Sequence, residues 1–209
     1  MKIPALIAVA FVVAASVSAA WADVKLPAII SNHMVLEKAD KIPIWGKADP
    51  GEEVVVTLNG QTAKAKAGAD GKWMMTLNLK RSGTGPFEMT IVGKNRLVIS
   101  DVVVGEVWLA SGQSNMQWVL TSTTDAEREI AQSANPRLRE FFVKRIAVSA
   151  PLDDTEGQWV AASPQTAGDF SAVGNYFAKK LQNELKIPLG VVHASWGATL
   201  RSLDQRRSH

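Results

Sequence analysis

Near Asp101 the hydrophobic pattern of this chain changes period, and that change limits the possible folds more than any other feature. From about Val24 to Ser100 apolar and polar residues alternate: Val54, Val56 and Leu58, then Trp73, Met75, Leu77 and Leu79, then Phe87, Met89 and Ile91. Period two sets one face of each strand against a core, so this stretch is expected to form a small antiparallel β-sandwich. Asn59-Gly60 and Asp70-Gly71 carry the residue types of tight hairpin turns. After Asp101 the runs Val102-Val103-Val104 and Val107-Trp108-Leu109 are apolar on both faces. Strands enclosed between helices in a parallel sheet read this way.

The second half alternates helix and strand signals. Thr124 or Asp125 as cap and Pro136 as stop predict a short helix near residues 125–133, and "LREFFV" then reads as a strand. In "DFSAVGNYFAKKLQNELKIP" the residues Val173, Phe177, Leu181 and Leu185 recur four apart, with Ser171 as cap and Pro188 as stop. That spacing predicts an amphipathic helix, followed by a buried strand "LGVVHAS". The expected fold class is therefore β plus α/β: an N-terminal antiparallel β-sandwich over residues 23–101, then a parallel α/β sheet over 102–199. Ligands in such sheets bind at the carboxyl ends of strands, where Ser114 and Ser195 fall.

Composition narrows the function classes. Lys2, the apolar run Ile3–Ala20 and the small residues around Trp21 have the layout of a secretory signal cleaved after Ala22, so residues 1–22 are set aside and a periplasmic or secreted location is expected. No other stretch could span a bilayer, so no stable membrane insertion is expected after cleavage. With no cysteine, disulfides and thiolate metal sites are excluded. The net charge of +3 does not point to nucleic acid. Without Lys2 and the tail residues Arg201, Arg206, Arg207 and Asp204, the 23 basic and 20 acidic side chains become 19 of each, and a phosphate-tracking face needs an excess within the fold.

In "VWLASGQSNMQW" a strand stops at Gly112-Gln113-Ser114-Asn115, where a hydroxyl would be exposed and amides would converge. The second glycine of a G-x-S-x-G elbow is missing, which disfavours the common α/β-hydrolase reading. The longer string "GEVWLASGQSNMQW" resembles the nucleophile block of the sialate O-acetylesterases, SGNH-type hydrolases that remove acetyl groups from sugar hydroxyls. "LPAIISNHMVLEKADKIPIWGKADPGEEVVVTLNGQ" is similar to that family's N-terminal β domain, and "FSAVGNYFAKKLQNELKIPLGVVHASWGAT" to the segment leading to its Trp-Gly-Gly-Thr turn. The resemblance implies an exported carbohydrate O-acetylesterase acting on an acetylated sugar, sialic acid or a related glycan, without metal or organic cofactor. It implies Ser114 as nucleophile, its own amide helping to bind the oxyanion, with Gln113, Asn115 and Gly197 as further oxyanion or turn candidates. Structural readings stand beside these: the two amides could tie down the turn, and Gly197 could serve a positive φ.

The family places its acid and base in a downstream Asp-x-x-His block, whereas here Trp196-Gly197-Ala198-Thr199 is followed by the basic tail "LRSLDQRRSH", residues 200–209. The tail matches nothing expected of the family, so the expectation is a truncated esterase, an incomplete SGNH-type sheet and impaired activity. Of the three histidines, His33 belongs to the β domain, His193 to a strand where packing is the expected role, and His209 pairs with Asp204 at the wrong spacing. The alternative is a non-catalytic carbohydrate-binding or vestigial protein, using Trp45, Trp73, Trp118, Trp159 or Trp196 to stack on sugars, against core packing or turn anchoring for each.

Overall fold

Residues 23–197 are described by a computed structural model; the signal-like residues 1–22 and the tail with Asp204 and His209 lie outside the described residues. The strands are β1 (Val35–Glu37), β2 (Ile42–Lys47), β3 (Glu53–Leu58), β4 (Gln61–Lys66), β5 (Lys72–Leu77), β6 (Phe87–Val92), β7 (Arg96–Gly112), β8 (Asn135–Phe142), β9 (Trp159–Ala162) and β10 (Leu189–Ser195). The α-helices are α1 (Ser114–Gln117), α2 (Ala126–Ala131) and α3 (Ala172–Leu185).

The period-two region forms two layers. Strands β4, β3, β6 and the first part of β7 pair antiparallel, and the antiparallel pair β2–β5 forms a second sheet. Val54, Val56, Leu58, Met89 and Ile91 share one buried cluster with Ile42, Ile44, Trp73, Met75 and Leu77, so the alternation read from the sequence is the alternation of burial. Asn59 and Gly60 both take positive φ and close the β3–β4 hairpin between Leu58 and Gln61. Asp70-Gly71 is not a hairpin turn. It carries the chain from β4 to β5, which belong to different sheets, because β5 buries Trp73, Met75 and Leu77 by pairing with β2.

The pattern change at Asp101 proves to be a change of partners along one strand. The 17 residues of β7 pair antiparallel with β6 up to Val102, parallel with β1 over Val103–Gly105, and parallel with β10 over Glu106–Gly112. One eight-stranded sheet, with path β4-β3-β6-β7-β10-β8-β9 and β1 beside β7, thus replaces the expected break between sheets. Asp101 sits at the joint with φ 55°, where the β6–β7 register slips. Buried Arg139 of β8 clamps it, donating to the Asp101 carbonyl (2.5 Å) and carboxylate (2.9 Å) and to the His33 carbonyl (2.8 Å).

Val102, Val103 and Val104 are buried as expected, but Trp108 and Leu109 are exposed; α3 packs mainly on β8 and β10 and meets Trp108 edge-on through Phe177 (5.1 Å). Helix α3 begins where the sequence places it, with the Ser171 hydroxyl accepting from the Gly174 amide (3.1 Å), and ends at Lys186 in the left-handed region. Its buried face differs from the expected stripe. Ala172, Gly174, Asn175, Ala178 and Gln182 face inward, while Val173, Phe177 and Leu185 are exposed and only Leu181 joins a core. Small residues let the helix lie close on the sheet: a Cβ on Gly174 would sit 3.4 Å from Val191. In α2 the Asp125 side chain binds Arg128 rather than capping the helix.

Candidate active site

The site lies where β7 and β10 end side by side. Ser195 pairs with Gly112, and the Trp196 amide donates to the Gly112 carbonyl at 3.1 Å. Gly112, at φ 149°, breaks β7 in a conformation that L side chains rarely adopt and sends the chain into α1. Ser114 is the first residue of α1 and is exposed. First-turn amides have no intrahelical acceptor, so the N–H groups of Ser114 and Asn115 are of the kind that can receive an oxyanion. Gln113 precedes the turn and its carbonyl accepts from the Gln117 amide (3.0 Å).

Gly197 comes directly against the serine. A Cβ there would stand 2.9 Å from Ser114 Oγ and 2.8 Å from Gln117 Oε1, so glycine is required by close approach, and its φ lies outside the positive region. The Gly197 amide donates to Gln117 Oε1 at 2.5 Å, which occupies it as an oxyanion donor in this arrangement. The structure thus brings Ser114 and Gly197 together and leaves Gln113 and Asn115 exposed on either side of the serine.

An open cleft of about 480 Å³ is lined by Ser114, Gln117, Trp118, Val119, Arg145 and Gly197. Trp118 is exposed, its indole tied to the Ser122 carbonyl (3.0 Å). Arg145 stacks over the Phe142 ring (4.9 Å) and donates from Nε to the Ser195 carbonyl (2.9 Å). Sequence reasoning missed Gln117 and Arg145. Gln117 was findable, since three residues after Ser114 on a helix is one face; Arg145 follows β8 in a stretch with no pattern of its own.

Neither described histidine reaches Ser114. His33 is exposed and bound to the Asp101 carboxylate at 2.7 Å, on the β7 joint. His193 is wholly buried, with Nδ1 2.8 Å from Glu140 Oε1 and Nε2 2.6 Å from Ser195 Oγ. This matches the packing role expected for it, but Glu140 as its partner was missed; a glutamate inside the apolar strand "LREFFV" was the available signal. Burial pushes the Glu140 carboxyl above its ordinary value, against the opposing hydrogen bonds from His193 and the Ser171 amide. Among the tryptophans, Trp73 and Trp159 are core residues, Trp45 is half-buried, and Trp118 and Trp196 are exposed at the site.

Among the described residues no group of three or more His, Asp or Glu side chains could hold a metal ion, and no helix is long and apolar enough to cross a membrane. No family model matches the chain. The chain is 37% identical over 191 residues to the sialate O-acetylesterase of Mus musculus, covering 81% of this chain and 35% of that protein. To the sialate O-acetylesterase of Homo sapiens it is 34% identical over 207 residues, covering 86% and 39%. It therefore spans a little over a third of the length of these relatives. A carbohydrate acetylesterase from Xanthomonas citri superposes with a TM-score of 0.82 at 35% identity, over 85% of this chain and 41% of that one. These likenesses support the β plus α/β fold.

Proposed function

Over the residues it shares with them the chain belongs to the sialate O-acetylesterase family, and on that premise we propose that Ser114 is the nucleophile of a carbohydrate O-acetylesterase. The observation that carries the reading is the placement of an exposed serine where β7 and β10 end, on the first turn of α1 and against Gly197. Its Oγ would attack the acetyl carbonyl, the first-turn amides would hold the tetrahedral oxyanion, and the sugar hydroxyl would leave before water releases acetate. Both described histidines are engaged elsewhere, so the imidazole that takes the Ser114 proton must come from outside residues 23–197. Trp118 offers an exposed aromatic face beside Ser114 for the sugar ring, and Arg145 offers a cation that suits an acidic sugar such as an O-acetylated sialic acid. The leader-like residues 1–22 support export as part of the same proposal.

The test is hydrolysis of 4-nitrophenyl acetate and of O-acetylated sialic acid by the purified chain and by Ser114→Ala, with a fluorophosphonate as covalent probe. A serine without its base keeps a residual acceleration of about 10³ to 10⁴ over water from oxyanion donors and binding. That residual does not depend on the serine, so the discriminating result is the probe: an adduct on Ser114 by mass spectrometry, absent in Ser114→Ala, is expected. No adduct on Ser114, or a probe adduct on another residue, overturns the assignment.

A further inference from the structure

Glu140, His193 and Ser195 have the connectivity of a catalytic triad one layer beneath the site. His193 and Ser195 are two apart on β10 and share a face, and Glu140 lies on the neighbouring strand β8. Each ring nitrogen has one partner, at 2.8 Å and 2.6 Å, and all three residues are buried. Both Glu140 oxygens also accept from the Ser171 amide, at 3.3 and 3.2 Å. Ser171 caps α3 and donates its hydroxyl to the Met116 carbonyl of α1 at 2.7 Å. The network therefore touches β8, β10, α3 and the helical turn that carries Ser114.

It cannot act as a second hydrolytic centre. Ser195 Oγ has no path to an acyl group, and the two amides that follow it are occupied, Trp196 by Gly112 and Gly197 by Gln117. Its influence on chemistry must run through the backbone. Ser195 pairs with Gly112, its carbonyl is held by Arg145, and two residues later Gly197 meets Ser114. Buried polar groups in a low-dielectric interior are costly unless every partner is fixed, so one proton arrangement dominates. Both Glu140 oxygens already accept from the Ser171 amide, so the carboxyl faces donors on that side and His193 meets it through Nδ1. Glu140 then accepts from Nδ1–H, and Nε2 accepts from the Ser195 hydroxyl.

We propose that Glu140, His193 and Ser195 are positioning residues: a buried relay, held in the Nδ1–H tautomer, that locks the end of β10 against the end of β7 and fixes Gly197 against Ser114. The proposal rests on Ser114 as nucleophile for its catalytic meaning, but its test does not need turnover.

In the ¹⁵N-labelled chain at neutral pH, His193 is expected to show a protonated Nδ1 and an unprotonated Nε2, and Glu140→Gln to disturb that pattern. Ser195→Ala should speed hydrogen exchange at the Trp196 and Gly197 amides about tenfold or more and shift the Ser114 amide resonance. Val56 and Ile91 in the sandwich should exchange as before, and Ser195→Thr, which keeps the hydroxyl, should restore the local protection. An Nε2–H tautomer in the wild-type chain, unchanged exchange at Trp196, or acceleration spread evenly over the sandwich overturns the proposal. Failure of the esterase reading shows instead as a fluorophosphonate that does not label Ser114, and leaves these local signals intact.

Discussion

Arg139→Met tests whether the joint in β7 is held by the clamp beneath it. The side chain is 3% exposed and makes four hydrogen bonds, three of them to carbonyls: Pro136 (2.9 Å), His33 (2.8 Å) and Asp101 (2.5 Å), plus the Asp101 carboxylate (2.9 Å). Methionine keeps much of the stem volume and removes every donor. The carboxylate is partly exposed and still bound by His33, so water can replace much of that contact. The three carbonyls are the larger loss, at about 1 to 3 kcal/mol for each buried polar group left unsatisfied. Allowing for partial rehydration, the expected cost is about 3 to 5 kcal/mol, in the range for breaking a buried charged pair. With a urea dependence of about 2 kcal/mol/M for a chain of this size, the unfolding midpoint should fall by roughly 1.5 to 2.5 M. Arg137→Met is the control, because Arg137 makes an exposed contact to the Lys186 carbonyl, and its expected cost is below about 1 kcal/mol. Equal, small midpoint shifts in the two variants would refute the argument that Arg139 carries the joint.

Other perturbations follow from single contacts. Gly197→Ala should lower the unfolding free energy by about 1 to 3 kcal/mol, because two of the three contacts it crowds are movable side-chain ends, yet it should abolish fluorophosphonate labelling of Ser114 by displacing Oγ. Ser171→Ala removes both the α3 cap and the bond to Met116, and should cost about 1 to 2 kcal/mol, read as a lower Tm by calorimetry. Burial works against the Asp101 carboxylate, but the hydrogen bonds from His33 and Arg139 outweigh it and hold its pKa below the ordinary value. Its stabilisation is therefore present above about pH 4 and lost on further acidification, a loss that Asp101→Asn should not show in urea titrations. Glu140 has the opposite sign: burial raises its pKa, so its contribution is complete in acid and declines as pH rises past the ordinary glutamate value, and Glu140→Gln should flatten that decline.

How much was legible in the sequence depended on whether the signal was local. The β3–β4 hairpin, the α3 cap at Ser171 and the burial of alternate residues in β3, β5 and β6 follow from neighbouring residues and were readable. The face of α3 was not. Val173, Phe177 and Leu185 form the better apolar stripe, but the sheet accepts the side with Gly174 and Ala178 because small residues permit close approach, a property of the partner surface. The continuity of β7 was hidden for a similar reason. Period two before Asp101 and a doubly apolar run after it describe different neighbours, and one strand can have both. At the site, the motif singled out Ser114, while Arg145 and Glu140 are brought in by pairing between distant strands and by the loop after β8, which no spacing encodes.

The two serines at the carboxyl ends of the sheet show why connectivity alone does not assign chemistry. Ser195 has an imidazole at 2.6 Å and a carboxylate behind it, yet it is buried and the amides after it are spent on Gly112 and Gln117. Ser114 has no described histidine beside it, but it is exposed, opens a helical turn and faces a cleft with an aromatic wall. A nucleophile needs access and free donors for the developing oxyanion before its base matters, and a base can be supplied from elsewhere whereas a buried hydroxyl cannot be moved to the surface. On the proposed reading, therefore, His193 serves the framework that holds β10 in place, and Ser114 is the serine placed to supply the reacting oxygen.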